Sequence, residues 1–178
     1  METPDIEVRR VNADDIDDLL AYELRNRTFH RPFEPVRDGG EQTDEQRIER
    51  IRTGISSPGR AGYVIRAASG ELVGTIALSN ITRGAWLNAT MGYSMDEAWT
   101  RRGIATEAAR RVVRAAFDEH GLHRIEAGTL VHNIGSQKVL LGAGFERIGV
   151  SRYHLQIAGT WSDHVLFSCT PEILAEHD

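Results

Sequence analysis

The chain has 178 residues, of which 40% are hydrophobic and 26% charged, the proportions of a globular protein long enough to bury a proper core, and one domain over residues 1–178 is expected. A net charge of −5 argues against a general nucleic-acid binder, and no apolar run approaches the ~20 residues needed to span a bilayer. The lone cysteine, Cys169, excludes an intramolecular disulfide and reads as a packed thiol, while the acidic start lacks the basic and apolar regions of a signal peptide, so a cytoplasmic location is expected.

Residues 6–11 alternate weakly and read as a first strand. Asn12 can cap a helix with Asp14 and Asp15 in its first turn and Ile16, Leu19, Leu20 and Leu24 as its buried stripe. An aromatic, proline-rich segment (residues 29–35) and a loose Asp38-Gly39-Gly40 follow. Thr43 with Gln46 then makes a capping-box start for a second helix that ends near Gly54. From Gly62 the period changes to two: strands at 63–67 and 72–81 flank a Ser69-Gly70 turn, and a third strand covers 89–95.

After that third strand come Arg101, Arg102 and Gly103, and then a helical repeat. Ile104, Ala108, Val112 and Ala116 recur every fourth residue, as do Ala105, Ala109, Val113 and Phe117. A helix entered through a cation-rich turn presents unpaired N–H groups and the positive end of its dipole, and glycine lets a ligand approach the backbone. That combination suits an anion, above all a phosphate. The turn fits neither the P-loop pattern nor the three-glycine dinucleotide fingerprint. The helix should stop at His120-Gly121, and a strand over 123–131 then closes a β-α-β crossover parallel to the strand before the turn. A short helix over 133–141, closed by Gly142 or Gly144, and a final hairpin of 145–155 and 160–169 around Ala158-Gly159 complete the order β-α-α-β-β-β-α-β-α-β-β. The expected fold is α/β of the α+β kind: a mixed, mostly antiparallel sheet with one central parallel pair and flanking helices. The anion turn lies at the carboxyl end of the strand feeding that pair, where open sheets place ligands.

Four pieces in this order carry a resemblance: Met91-Gly92-Tyr93-Ser94-Met95, then Arg101 to Ala108, then His132-Asn133-Ile134-Gly135-Ser136-Gln137-Lys138 running on to Gly144-Phe145, and Gly159-Thr160-Trp161-Ser162-Asp163-His164-Val165. Together they resemble the GNAT-superfamily N-acetyltransferases, and more narrowly the RimJ/RimL group, which acetylates the N-terminal residue of ribosomal proteins. The resemblance implies a central pair that is splayed, acetyl-CoA as cosubstrate with no metal, and a primary amine as acceptor, possibly the N-terminus of a ribosomal protein. It implies no direct nucleic-acid or membrane partner and a monomer or homodimer. Tyr93, Ser94 and Met95 of the splayed strand would pair with the pantetheine arm, and Arg101, Arg102, Gly103, Ile104, Ala105 and Thr106 would hold the pyrophosphate. Asn133 can cap its helix, bond the pantetheine, or do both. Ser136 stands where a hydroxyl can protonate the departing thiolate, and a plain capping contact is the alternative. Lys138 is a candidate for the 3′-phosphate. The acceptor is expected near Phe33, Glu34, Tyr153 and Trp161, although Phe33 and Trp161 can equally be core.

The base is missing from its usual places. Where many family members carry glutamate, this chain has Thr90 and, in the later strand, Leu155. Thr100 likewise replaces the Arg or Gln usual three residues before Gly103. Glu126 is a candidate that could act through water, an outward-facing strand carboxylate is the alternative, and proton loss through ordered water rather than one dedicated carboxylate is expected; His164 reads as structural. An α-amine, with a reference pKa of ~8 against ~10.4 for lysine, suits a site without a strong base. The alternatives keep the fold and change the acceptor to a small-molecule amine such as an antibiotic, polyamine or aminonucleotide, change the donor to succinyl-CoA, or make the chain a non-catalytic acyl-CoA-binding regulator.

Overall fold

A computed structural model describes residues 5–36 and 42–177; Asp38-Gly39-Gly40 and the first four residues lie outside these. Strand β1 (Ile6–Arg10) leads into α1 (Ile16–His30), a 3₁₀ turn (Arg31–Phe33) and α2 (Asp44–Ser56). The meander β2 (Ala61–Ala67), β3 (Leu72–Thr82) and β4 (Asn88–Met95) follows, then α3 (Ile104–Asp118), β5 (Arg124–Leu130), α4 (Ile134–Gly142), β6 (Glu146–Ile157), β7 (Thr160–Cys169) and α5 (Pro171–His177). The expected caps form. Asn12 and Thr43 both close capping boxes. Gly121 takes a φ of 59° after α3, with the Leu122 N–H donating to the Ala116 carbonyl. Gly144, with φ of 90°, closes α4, while Phe145 N–H reaches back to Leu140. Helix α5 is an element that the sequence pattern did not suggest.

The seven strands form one sheet in the order β1-β2-β3-β4-β5-β7-β6, antiparallel at every junction except β4–β5. That parallel pair holds register over only three positions, Asn88↔Arg124, Ala89↔Ile125 and Thr90↔Glu126. Beyond Thr90 the strands part. Residues 91–95 of β4 keep only β3 as a partner, and Ala127 to Leu130 of β5 keep only β7.

Alternation along β2 sends Ile65 into the main core and Val64 into a second cluster, on opposite faces of the sheet. On the first face lies α3, which buries Ile104, Ala108, Ala109, Val112, Val113 and Ala116, the stripe its period predicts, with α4 beside it through Leu140. The other face takes α1 and α2 through Leu19, Tyr22 and Ile51. Here the expected stripe is corrected: α1 buries Leu19, Tyr22 and Asn26, while Leu24 is exposed. Its inner face was chosen by hydrogen bonds to the sheet rather than by apolar area. Cys169 is fully buried, and burial pushes its thiol pKa up to about 12, so it behaves as a small apolar group.

Candidate active site

The turn between β4 and α3 is built from the backbone outward. Asp96 caps a 3₁₀ turn (Glu97–Trp99), accepting the Ala98 N–H at 3.0 Å. Arg101 and Gly103 then adopt left-handed backbone, with φ of 60° and 76°. Glycine does so freely, whereas for arginine that conformation costs about 1 kcal/mol. Gly103 is the N-cap residue of α3 and has no side chain to cap with, so the first N–H groups of α3 point outward without an intrahelical partner. Left-handed residues set into such a turn form an anion-binding concavity. The Arg101 guanidinium is exposed and makes no polar side-chain contact among the described residues. Arg102 is committed elsewhere: it stacks 4.6 Å above the Trp99 ring and donates to the Ala98 carbonyl at 3.0 Å.

Helix α1 holds this turn in place. Tyr22, Asn26 and His30 recur every fourth residue and all meet the end of β4. The Tyr22 hydroxyl lies 2.9 Å from Ser94 Oγ, Asn26 Nδ2 donates to Asp96 at 2.9 Å, and His30 Nε2 donates to the Met95 carbonyl at 2.7 Å. Arg25 Nε adds a bond to the same Asp96 carboxylate at 2.6 Å. Burial pushes the Asp96 pKa up, but the bonds from Asn26, Arg25 and Ala98 outweigh it, and the carboxyl sits below its ordinary value.

Two cavities open where β4 and β5 separate. The larger, about 660 Å³, runs from the anion turn along the end of β4 to α4, and it is lined by Tyr93, Ser94, Met95, Arg101, Arg102, Gly103, Ile104, Ala105, Thr106, Asn133, Ser136 and Lys138. All twelve residues expected to hold the coenzyme therefore face one space, joined by Phe33 and Glu34 from the segment after α1. The smaller, about 160 Å³, lies in the gap itself between Met91-Gly92-Tyr93 and Ala127-Gly128-Thr129-Leu130. Phe33, Tyr93, Asn133 and Ser136 line both cavities.

At that junction the Tyr93 hydroxyl stands 2.6 Å from Ser136 Oγ and donates to the Ser136 carbonyl at 3.1 Å. Burial pushes the Tyr93 pKa up to about 12, against the smaller opposing effect of the Ser136 hydrogen bond. The phenol is thus held neutral, with a proton to give. Tyr93 was expected only as a cofactor contact, and its pairing with Ser136 depends on α4 packing against β4, which no sequence spacing reports. Asn133 caps α4, its Oδ1 accepting from Ser136 N–H at 3.1 Å, and it still borders both cavities.

The other expected residues lie apart. Glu126 lines neither cavity; its carboxylate pairs with Arg124 at 2.8 Å, beside the last register pair before the strands part. Tyr153 and Trp161 line neither cavity and are exposed on the β6–β7 hairpin, so Trp161 is not core either. Tyr153 has φ of 50°, its N–H bound to Asp163 and its ring under the Arg152 guanidinium. That hairpin nonetheless reaches the segment after α1, where Ala158 N–H donates to the Glu34 carbonyl at 3.0 Å. His164, which reads as structural in the sequence, lines the smaller cavity. Among the described residues no group of three or more His, Cys, Asp or Glu side chains is placed to hold a metal ion.

The sheet is split at its parallel pair, with the outward amides of the α3 start and the Tyr93–Ser136 hydroxyls at the split, and residues 5–146 match the model of the acetyltransferase (GNAT) domain: the chain belongs to this family of N-acetyltransferases. It is 39% identical over 163 residues to the probable N-acetyltransferase YjcK of Bacillus subtilis, covering 89% of this chain and 90% of that one. It is 32% identical over 175 residues to the ribosomal protein uS5-alanine N-acetyltransferase of Escherichia coli, covering 96% and 90%. Among solved structures it resembles Mycobacterium smegmatis RimJ in complex with CoA-disulfide, with a TM-score of 0.84 at 29% identity over 95% of this chain and 83% of that one.

Proposed function

We propose that this chain, acting as one catalytic domain, moves the acetyl group of acetyl-CoA to the α-amine at the N-terminus of a protein, in the manner of the RimJ group. The observation that carries the reading is the meeting of the two cavities at Tyr93 and Ser136. The larger cavity, about 660 Å³, takes in the turn before α3, the end of β4 and the start of α4 and would hold the coenzyme; the smaller, in the gap between β4 and β5, would receive the acceptor amine. The backbone amides of Ile104 to Thr106 and the Arg101 side chain would bind the pyrophosphate, and Lys138 the 3′-phosphate. The unpaired edge of β4 from Gly92 to Met95 would align the arm by strand-like bonds, with an N–H polarising the thioester carbonyl, an effect worth ~3 kcal/mol. The Tyr93–Ser136 pair would protonate the leaving thiolate. For the acceptor, support comes from the 32% identity to the uS5-alanine enzyme over nearly the whole chain, and from Phe33, which lines both cavities, with Glu34 beside it in the larger one. Glu34 suits the cationic N-terminus of a polypeptide. A cytoplasmic setting, where acetyl-CoA and nascent chains meet, fits this reading.

Thiol release from acetyl-CoA, followed with peptides bearing a free N-terminal Ala or Ser, with N-blocked lysine peptides and with polyamines, tests the proposal. Turnover fastest with the free α-amine is the expected result. Polyamines outpacing every peptide would assign a small-molecule acceptor instead, faster release from succinyl-CoA would change the donor, and tight CoA binding with no release would make the chain a regulator.

A further inference from the structure

An amine attacking a thioester sheds a proton, and the carboxylates do not stand ready to take it. Glu126 is turned to Arg124, and Thr90 and Leu155 bear no acid. On β7, beside the gap, His164 meets the requirements of a base. The residue is 3% exposed, and it lines the smaller cavity with Tyr93 and Ser136. Nδ1 lies 2.9 Å from the Ser162 carbonyl, which can only accept, so Nδ1 carries the proton and Nε2 keeps the lone pair. Nε2 has no hydrogen-bond partner among the described residues and is not one of the sealed, orphaned polar atoms.

The approach to it is open. Across the sheet, Leu130 pairs with His164, and Gly128, two residues before it, shares the cavity wall. A Cβ on Gly128 would stand 3.9 Å from His164 Cδ2, the ring carbon bonded to Nε2, so that edge of the imidazole lies beside Gly128 in the cavity wall. The titratable groups around the ring are few. From β4 comes Tyr93, held neutral; from β6 comes His154, whose ring centroid is 5.4 Å away. Burial, and then the neighbouring His164, lower the His154 pKa. On β5 the nearest carboxylate is Glu126, occupied by Arg124, and Glu34 lines only the larger cavity.

We infer that His164 is the general base of the transfer. As the amine nitrogen bonds to the carbonyl carbon and the carbon–sulfur bond breaks, Nε2 takes the proton from the nitrogen, while the Tyr93–Ser136 pair gives one to the sulfur. His164 then releases its proton to water and the pair regains one, so the site returns to its starting state. The inference deepens the proposed transfer and is independent of which amine is accepted.

His164→Asn tests it, because the asparagine amide can keep the donor to the Ser162 carbonyl while removing Nε2. A fall in kcat of about 100-fold or more, the usual worth of a positioned base, is expected, with acetyl-CoA affinity and thermal midpoint at wild-type values. The acidic limb of the wild-type kcat–pH profile should vanish in the variant; kcat is the reading of choice, since ionisation of the free amine enters kcat/KM. A variant within a few-fold of wild type, or one that is slow with an unchanged profile, would overturn the assignment. Should the asparagine variant lose CoA binding, His164→Gln is read by the same profile. Measurements use any amine the wild type accepts: silence with N-terminal peptides beside activity on another amine removes the proposed acceptor and leaves His164 testable, whereas silence with every amine overturns both.

Discussion

The Tyr93 hydroxyl stands 2.6 Å from Ser136 Oγ, tying the free edge of β4 to the first turn of α4 at the place where the two cavities join. Buried and neutral, the phenol is placed to refill Ser136 or donate directly, and under the proposed mechanism the two hydroxyls would act as one acid. Tyr93→Phe and Ser136→Ala should each lower kcat by about 10–100-fold with KM for acetyl-CoA nearly unchanged, and the double variant should be little worse than the poorer single one, because groups acting as a unit are not additive. Additive losses in a double-mutant cycle would mean two independent roles.

The same burial sets a pH expectation. The Tyr93 pKa is raised to about 12, so the protonated form that would serve as acid persists through neutral and mildly basic pH. Activity should show no basic limb from this group below about pH 10, the ordinary tyrosine value. The raised value also favours the fold below that pH and is withdrawn as pH climbs from about 10 toward 12. Alkaline unfolding followed by fluorescence should therefore begin at higher pH in Tyr93→Phe than in wild type.

Glu126 lines neither cavity and its carboxylate holds Arg124 at 2.8 Å. Glu126→Gln should leave kcat within about 3-fold of wild type, far short of the 10²–10⁴ that a positioned base supplies. A hundredfold loss with acetyl-CoA affinity intact would restore it as the proton acceptor and weigh against His164.

The coenzyme side of this site is legible in the sequence because it is local. Arg101, Gly103 and the period of α3 lie within one turn and its helix, and the physics of a helix start needs no tertiary knowledge. The acceptor side is not local. His164 gains meaning only because β5 and β4 part after Thr90, because Gly128 carries no side chain, and because β7 crosses to sit beside β5. Helix α1 shows a different limit: its inner face is set by Tyr22, Asn26 and His30, whose hydrogen bonds to Ser94, Asp96 and Met95 no hydrophobic pattern records, so Leu24 reads as buried and is not. Tyr153 and Trp161 are aromatic in a hairpin that does approach the site, but the hairpin reaches it through His164 and the Ala158 backbone.

Arg101 and Arg102 are adjacent and differ in what they can give a phosphate. Arg102 is spent on Trp99 and Ala98, whereas Arg101 makes no polar side-chain contact among the described residues and lines the larger cavity. An exposed charge–charge contact is worth up to about 1 kcal/mol, so Arg101→Ala should raise KM for acetyl-CoA about 5-fold at low salt, with the difference shrinking as salt is added. Arg102→Ala should raise KM less and lower the thermal midpoint instead, through loss of the stacking. Equal effects on KM from both would mean that Arg102 leaves Trp99 when the coenzyme binds.

Asp96 joins α1 to the anion turn, and its removal should register in stability and in coenzyme binding together. The carboxylate is almost fully buried and accepts from Arg25, Asn26 and the Ala98 N–H. Replacing it with alanine takes one of two acceptors from Asn26 Nδ2, which keeps the Tyr22 carbonyl, and removes the cap of the 3₁₀ turn that precedes Arg101 and Gly103. Because Arg25 keeps contact with water, the loss falls at or below the lower end of the range for broken buried pairs, about 2–3 kcal/mol. For a chain of this size that is a fall of about 5–10 °C in thermal midpoint. Its pKa is depressed in the fold, so its contribution is present above the unfolded carboxylate value of about 4 and is withdrawn as pH falls below it. Wild type and Asp96→Ala should thus differ most at neutral pH and converge in acid. KM for acetyl-CoA should rise in the variant even at temperatures where it is fully folded, because the amides of the α3 start are then no longer held in one arrangement. A variant with a lowered midpoint and an unchanged KM would show that the turn holds its shape without α1.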